Sequence, residues 1–285
     1  MKKNKESLGA KTQVNYIASA LKYLFRNFIF IFVFALIPSY FFAMTADMKN
    51  MAEITDKIFA LDADFTFGQI FTFLSPINAR RWVFALICFA SLAVCLPMLL
   101  GFIEKHMRIG SRSFKGVAGR FNHNFLTTLS VMLILLAVYE LWAVIASGLI
   151  YAETLLLGGI ACYAVALATY LGMVALMCYL ASIFLLWLPC LQITGYNFVD
   201  ALSYCNQLYV KKRAKLFLAV FVPCLAGVVL QFAVAGLNLA DHVRFLAFVL
   251  MELIYLFLIL YYCILMFVSY FDMAGEERMD LKKKF

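Results

Sequence analysis

Six long apolar runs dominate the chain, and their length constrains the fold more than any other feature. A run of about 17 to 25 apolar residues can cross a bilayer as a helix. The runs do not alternate with a period of two, which excludes a β-barrel and leaves helices to satisfy the backbone in lipid. The sequence therefore predicts an all-α, polytopic membrane helix bundle that forms a single transmembrane domain over residues 1–285. The predicted spans are 28–44, 82–103, 125–150, 160–191, 216–236 and 245–271.

The composition agrees with a location in a membrane. Of the 285 residues, 65% are hydrophobic and 14% are charged, whereas typical soluble domains contain about 25% charged residues. A soluble domain could not bury that much apolar surface, but hydrocarbon solvates it. The net charge of +8 does not indicate nucleic-acid binding, because the basic residues lie in short loops and form no basic domain.

The distribution of basic residues predicts the orientation. When the loops are assigned alternately to the two sides, 19 of the 24 Lys and Arg residues share a side with both termini, and five lie opposite. Cytoplasmic loops are enriched in Lys and Arg, so both termini are expected in the cytoplasm of a multi-pass protein of a bacterial cell membrane. The first span is expected to be an uncleaved anchor, because signal-peptide n-regions are shorter than the segment before it.

An amphipathic stretch precedes each of the three spans that run outward. Apolar residues recur at helical spacing in 17–25, 114–125 and 198–209, with polar and basic residues on the other faces. These stretches predict cytoplasmic interfacial helices in contact with membrane lipids, including anionic headgroups. They also indicate three parallel helix-hairpin repeats. The alternative is that any cytoplasmic loop between basic helix ends is amphipathic without a repeat.

Two segments carry a resemblance to a known group of proteins. Residues 97–125, PMLLGFIEKHMRIGSRSFKGVAGRFNHNF, combine a proline, an apolar run, a glycine, a polar linker and an amphipathic stretch. Residues 197–224, NFVDALSYCNQLYVKKRAKLFLAVFVPC, combine an Ala-Leu-x-x-Cys lead-in with a basic cluster. In this pattern the chain resembles bacterial six-helix integral membrane proteins of unknown function, similar to the membrane domain attached to some glycerophosphodiester phosphodiesterases. The resemblance implies a shared fold and carries over no catalytic residue; Cys205 and residues 212–213 stand where the group usually has Ser and Gly.

Polar residues within or beside the spans are the candidate functional residues. A carboxylate in hydrocarbon is protonated, paired or in contact with water. One hypothesis is an outward-facing intramembrane polar site, in which carboxylates and an arginine rim surround a cavity for a lipid headgroup or a small zwitterion. The alternative is that each Glu is protonated or hydrogen-bonded to a neighbouring helix, while the arginines are interfacial anchors. The set comprises Glu140, Glu252, Gln231, Arg80, Arg81 and Arg244.

Further patterns predict structural details. The outer loop 45–81 contains an apolar run that is expected to form a short helix on the outer surface or over the bundle; a partner-binding surface is the alternative. The fourth span is expected to tilt, to bend near Pro189 or to run into the interface. The eight cysteines are expected to be packing residues without a disulfide framework. The C-terminal residues 276–285 are expected to be a solvated charge run.

Small residues in the fourth span share one helical face, at steps of three, four and seven residues. Such a face lets a neighbouring helix approach closely, and it is expected to pack within the core or against a second copy. The residues are Ala161, Ala164, Ala168, Gly172, Ala175 and Ser182.

Absent motifs narrow the function classes. No P-loop and no HExxH motif occurs, and no His lies within a predicted span. We therefore expect no enzymatic activity, no cofactor and no metal site. The expectation is an accessory or scaffold protein that interacts with membrane lipids, with a protein partner or with a second copy of itself. The alternative is a transporter or transporter subunit that uses the polar site around Glu140 and Glu252.

Overall fold

The computed structural model describes residues 15–60, 64–77, 81–210, 212–236 and 243–282, with the backbone alone at 117, 118, 120 and 244. Within these ranges all regular structure is helical. The helices are α1 (Tyr16–Thr45), α2 (Met48–Ala60), α3 (Phe67–Leu74), α4 (Trp82–Ile109), α5 (Val117–Leu156), α6 (Gly159–Phe184), α7 (Trp187–Thr194), α8 (Phe198–Val210), α9 (Arg213–Gly236) and α10 (Arg244–Ala274), followed by a 3₁₀ turn at Met279–Leu281.

Six segments of the described chain are long and apolar enough to cross a membrane, which confirms the predicted class and span number. They are α1, α4, α5, α6 with α7, α9 and α10. Large apolar side chains on their outer faces remain exposed, for example Ile29 at 77%, Leu126 at 72% and Phe245 at 79%. Lipid tails solvate such faces, so these exposed side chains are consistent with a bundle surrounded by hydrocarbon.

The centre of the bundle lies where α1, α4 and α10 pack together. On α1 the buried residues Ala20, Leu24, Ile31 and Ala35 follow helical spacing and form one continuous stripe. The facing core includes the fully buried Leu260, Ile264 and Phe267 of α10. The bundle has two ends, defined here by their short helices: the α3 end, which carries α2 and α3, and the α8 end, which carries α8 and the C-terminal segment 275–282.

The predicted interfacial helices differ from the observed ones in two of three cases. Residues 17–25 are the first turns of α1, and the lead-in before the third span runs into α5 without a break. No Gly or Pro interrupts the chain at the first junction, and continuing the helix keeps every backbone hydrogen bond. Phe25, predicted to face the apolar side, is 66% exposed. The third stretch does form a separate helix, α8, whose buried face includes Ala201, Cys205 and Tyr209.

The fourth span bends where the sequence predicts. α6 ends at Phe184 and α7 starts at Trp187, so the break lies at Leu185 and Leu186. Pro189 follows four residues after Leu185, and its ring lacks the N–H that would bond to that carbonyl and clashes with it. The predicted bend near Pro189 is therefore confirmed, one turn before the proline itself.

The small-residue face of α6 does not pack in the core. Its first four members are exposed at the surface of the bundle, and an added Cβ at Gly172 would meet no atom within 4 Å. α6 instead turns Cys162, Val174 and Cys178 inward, and Ser182 is the buried end of the predicted stripe. A close approach by another helix of the described chain is thus wrong for the first part of the stripe. The eight cysteines are all free thiols.

Candidate functional site

A cavity of about 550 Å³ lies inside the bundle beneath α3. Its walls come from α5, α6, α9 and α10, and the segment that includes Thr72, Leu74 and Pro76 borders it at the α3 end. The expected apolar helix of the outer loop is confirmed as α3, with Thr66 as its N-cap in a capping box with Gln69. Ile70 and Leu74 are the buried residues of α3, which packs against α5 and covers the bundle.

The cavity changes in polarity along its depth. Near the α3 end it is bordered by Asp47, Ser75 and Gln231. Gln231 lies five residues before the end of α9, or about 7 Å at 1.5 Å per residue. Deeper walls are formed mainly by apolar side chains such as Leu135 and Val174. The site therefore suits a molecule with a small polar end and an apolar body.

Hydrogen bonds attach the covering segment, residues 67–77, to α5. The Tyr139 hydroxyl donates to the Leu74 carbonyl at 2.7 Å. The Ser75 hydroxyl donates to Oε2 of Glu140 at 2.6 Å and accepts from the Ile77 backbone N–H at 3.0 Å. Ser75 is only 2% exposed. These bonds hold the residues after α3 over the cavity and satisfy backbone groups that the end of a short helix leaves unpaired.

Arg81 fastens the other border of the cavity. Its Nη1 donates to the carbonyls of Met44 and Ala46, each at 2.9 Å, and its Nη2 lies 3.7 Å from Oδ1 of Asp47. The guanidinium thus binds the last carbonyls of α1, where a positive charge is favoured by the helix dipole. The contact ties the end of α1 to the start of α4.

The described residues of the predicted polar site are placed differently relative to the cavity. Gln231 borders the cavity, whereas Glu140 and Glu252 do not. Glu140 follows Tyr139, so the two side chains point in different directions around α5, and its carboxylate reaches Ser75 instead. Glu252 is partly exposed on α10 and makes no hydrogen bond or ion pair within the described ranges. Neither carboxylate lines this cavity, and the expected polar site around both of them stays a prediction.

Of the expected arginine rim, Arg81 alone has a described side chain. Arg81 binds helix carbonyls and Asp47, and Glu140 receives a hydrogen bond from Ser75 alone in the described part of the chain, so these two do not pair. Arg80 lies outside the described residues, and Arg244 is described only as the first residue of α10. The second carboxylate oxygen of Glu140, Oε1, is buried without a hydrogen-bond partner among the described residues.

Several residues of the cavity were missed by sequence analysis. Tyr139, Tyr170 and Tyr255 all border it, and Trp142 on the next turn of α5 donates its indole N–H to the Met173 carbonyl at 2.8 Å. Tyr and Trp combine a large apolar body with a polar atom that needs a partner. Their occurrence in the middle of spans, away from the usual interfacial belts, was the available signal.

Two cysteines of the cavity contact each other. Cys178 of α6 and Cys224 of α9 border the cavity, and their thiols lie close enough to interact. This contact is consistent with packing, the role the sequence predicts for them. Among the described residues no group of three or more His, Cys, Asp or Glu side chains could hold a metal ion.

Comparisons with known proteins add no family assignment. No protein-family model matches the chain, and no curated protein or solved structure matches it either. The resemblance to the phosphodiesterase-associated membrane domain thus stays a prediction. The fold and the geometry of the cavity define the class, a multi-pass helical membrane protein with an internal cavity beneath a short covering helix.

Proposed function

We propose that the protein is a non-enzymatic accessory protein of a bacterial cell membrane that holds a lipid or similar amphipathic molecule in the cavity beneath α3. The observation that carries this proposal is the cavity itself. Its volume of about 550 Å³ falls within the range of about 300–1,000 Å³ that is usual for ligand sites. With both termini in the cytoplasm, as the basic loops predict, the cavity lies toward the outer leaflet.

The polarity of the walls supports the choice of an amphipathic ligand. At the α3 end, Asp47 lies beside Arg81, and this pair carries no net charge. Gln231 adds an amide that can donate and accept hydrogen bonds. A neutral or zwitterionic head would therefore bind near these groups, while an apolar tail would contact Leu135, Val174 and their neighbours. Lipids of the surrounding bilayer have this chemistry. The proposed partners are membrane lipids, with a protein partner or a second copy at a surface that is still to be found.

A transporter or transporter subunit is the second candidate. It is favoured by the covering segment, whose displacement would open the cavity at the α3 end. It is disfavoured because neither Glu140 nor Glu252 borders the cavity, so no carboxylate of a span is available there to couple ligand movement to protons. Holding a ligand requires only the cavity, and this is the simpler proposal.

A thermal-shift experiment tests the proposal with a matched pair of variants. Val228 borders the cavity, whereas Val229, the next residue of α9, is 59% exposed on the outside of the bundle. Val228→Phe fills the cavity, and Val229→Phe adds the same volume facing lipid. A ligand that binds only the folded state raises stability by about 2.7 kcal/mol at 100 times its Kd.

The full-length protein is delipidated in detergent and then titrated with bilayer lipids. The proposal predicts that wild type and Val229→Phe gain thermal stability and that Val228→Phe gains much less. Equal gains in all three proteins would show that lipid acts only on the outer surface, and the proposal would be rejected. Uptake of a solute into vesicles that is lost in Val228→Phe would favour the transporter instead.

A further inference from the structure

At the α8 end, opposite to the cavity, three arginines surround one buried polar pair. The pair is Tyr23 of α1 and His106 of α4, with the Tyr23 oxygen 2.8 Å from Nδ1 of His106. Tyr23 and His106 are each 3% exposed. Arg26, Arg112 and Arg278 all lie close enough to act electrostatically on His106, and they come from α1, the α4–α5 loop and the C-terminal segment.

Hydrogen bonds to Arg112 and Tyr23 determine the tautomer of His106. Arg112 donates from Nε to Nε2 of His106 at 3.3 Å. An arginine carries its hydrogens at any physiological pH, so Nε2 of His106 must accept, and its Nδ1 carries the hydrogen that is donated to Tyr23. His106 is therefore the neutral tautomer in this arrangement. It holds Arg112 in place while leaving the terminal guanidinium nitrogens of that residue for another acceptor.

The C-terminal segment forms one wall of the cluster, in part contrary to the expected solvated charge run. Gly275 ends α10 with a φ of 75°, and Glu276 then bonds back to the Phe271 carbonyl at 2.9 Å. The chain turns onto the end of α4, where an added Cβ at Gly110 would lie 3.4 Å from the Met279 carbonyl oxygen. Arg278 lies over the Tyr23 ring, 5.9 Å from its centroid. The expectation is wrong for Arg278 and Asp280, whose side chains are buried against this end of the bundle, whereas the other residues of 276–282 are exposed as expected.

The cluster has an excess of positive charge. The carboxylate that acts on His106 is Asp280, and it already receives two hydrogen bonds from Arg278, at 3.1 and 2.8 Å. Arg26 makes no hydrogen bond or ion pair with any described residue, and Arg112 bonds only to His106. The guanidinium groups of Arg26 and Arg112 are therefore exposed and have no counter-charge among the described residues. Guanidinium groups bind phosphate oxygens with particular strength, often through two parallel hydrogen bonds.

The position of the cluster matches the headgroup level of a bilayer. Arg26 lies 19 residues before the end of α1, or about 28 Å at 1.5 Å per residue. The hydrocarbon core is about 30 Å thick, so Arg26 reaches the boundary when the other end of α1 lies at the opposite one. Beside the cluster, Phe114 is 51% exposed and lies 5.5 Å from the ring of Phe102, whose own centroid is 6.4 Å from that of His106.

We propose that Arg26 and Arg112, ordered by His106 and Tyr23 beside the Arg278–Asp280 pair, form a binding site for a phosphate group at the α8 end of the protein. The exposed Phe114 beside it supplies an apolar surface for an acyl chain, which favours the phosphate of an anionic lipid over a free phosphate ion. The site is separate from the cavity beneath α3 and does not depend on the function proposed for that cavity.

The test uses the full-length protein and native mass spectrometry with added phosphatidylglycerol. Arg26→Gln/Arg112→Gln removes the two exposed guanidinium groups. Lys22→Gln/Arg213→Gln is the matched control, since it removes the same charge from exposed side chains at the same end that do not act on His106. Loss of two charge-assisted hydrogen bonds is expected to weaken lipid binding about tenfold or more in the first variant. The control is expected to change it less than about twofold.

Further variants distinguish a lipid phosphate from a free phosphate ion, and the arginine site from the cavity beneath α3. Phe114→Ser is expected to weaken phosphatidylglycerol binding, which supports a lipid ligand; unchanged lipid binding together with competition by inorganic phosphate would support the phosphate site with a free ion as its ligand. Val228→Phe is expected to leave this binding unchanged, because it alters only the cavity beneath α3. Equal losses in the arginine variant and its charge-matched control would overturn the proposal.

Discussion

The hydroxyl of Tyr139 in α5 donates a hydrogen bond to the carbonyl of Leu74, 65 residues earlier, at 2.7 Å. This contact holds the last residue of α3 over the cavity and leaves the tyrosine ring among its walls. One residue further along each segment, Ser75 and Glu140 form a second hydrogen bond. The cover and the cavity are therefore built from the same contacts, and changes in one are expected to alter the other.

Tyr139→Phe is predicted to loosen the cover without unfolding the bundle. It removes one buried hydrogen bond and leaves the Leu74 carbonyl unpaired, a loss of about 1–3 kcal/mol. Hydrogen exchange of the full-length protein should show faster exchange in residues 67–77 and little change in α10. Tyr40→Phe is the control, since the Tyr40 side chain is 42% exposed. Unchanged exchange in residues 67–77 would contradict the assigned role of Tyr139.

Arg81→Gln is predicted to lower stability more than Lys49→Gln, a change of an exposed basic residue at the same end. The variant loses the charge-assisted hydrogen bonds to the carbonyls of Met44 and Ala46, and the Asp47 carboxylate, 8% exposed, loses its counter-charge. The expected loss is about 2–3 kcal/mol. Thermal unfolding in detergent measures it, with Lys49→Gln as the control because Lys49 is 84% exposed. Equal unfolding temperatures for the two variants would refute this assignment.

Gly227→Ala is predicted to change stability by less than about 1 kcal/mol despite a close contact. An added Cβ would lie 2.9 Å from Cδ1 of Leu258 in α10. Leu258 borders the cavity, so its side chain has room to move away, and alanine favours the helix by up to about 1 kcal/mol. Gly227→Phe exceeds that room and is expected to cost more than about 2 kcal/mol. The same large loss for alanine would mean that Leu258 cannot move into the cavity.

Glu140→Gln/Glu252→Gln is predicted to leave the bound ligand in place. Neither side chain borders the cavity, and a glutamine at 140 can still accept the hydrogen bond from Ser75 through its amide oxygen. Mass spectrometry of the extracted ligand measures retention. Gln231→Leu is the contrasting variant, because Gln231 does border the cavity and its loss is expected to weaken binding of a polar head. If only the double Glu variant lost the ligand, this prediction would be contradicted and the two carboxylates would be assigned to the binding site.

The proposed orientation is predicted to appear in cysteine labelling of intact cells. Lys49→Cys at the α3 end should react with a membrane-impermeant maleimide, and Lys282→Cys at the α8 end should react only after permeabilisation. The eight native thiols give a low background because none is exposed at the surface. Labelling of the Lys282→Cys variant in intact cells would reverse the orientation and move the cavity to the inner leaflet.

Apolar length and charge were sufficient to predict the spans, because hydrocarbon imposes both on any helix that crosses it. The bend before Pro189 was predictable for an equally local reason, the missing N–H of proline. The candidate site was not predictable at this level. Glu140 was predicted as a site residue because it is an ionisable residue within a span, but the direction of its side chain depends on where α3 packs. The cavity is bordered mostly by apolar and aromatic residues, which do not differ in sequence from core residues.

The C-terminal segment and the small-residue face of α6 show the same limit of prediction from sequence. Residues 276–282 are strongly charged and were expected in solvent, yet Arg278 and Asp280 have side chains only 11% and 5% exposed. Their partners, Tyr23 and the end of α4, are far away in sequence. Likewise the small-residue face of α6 predicted a close neighbour, whereas the bundle leaves Ala161, Ala164, Ala168 and Gly172 exposed. Helical periodicity identifies a face, but tertiary packing determines what that face contacts.

Native mass spectrometry of the mildly solubilised protein tests the central claim most directly. Wild type, Val228→Phe and Val229→Phe are compared after gentle removal of detergent. We predict that wild type and Val229→Phe carry one strongly retained lipid or amphipathic molecule and that Val228→Phe, whose added ring occupies the cavity, carries none. The same retained molecule in all three proteins, or none in the wild type, would contradict a ligand held beneath α3.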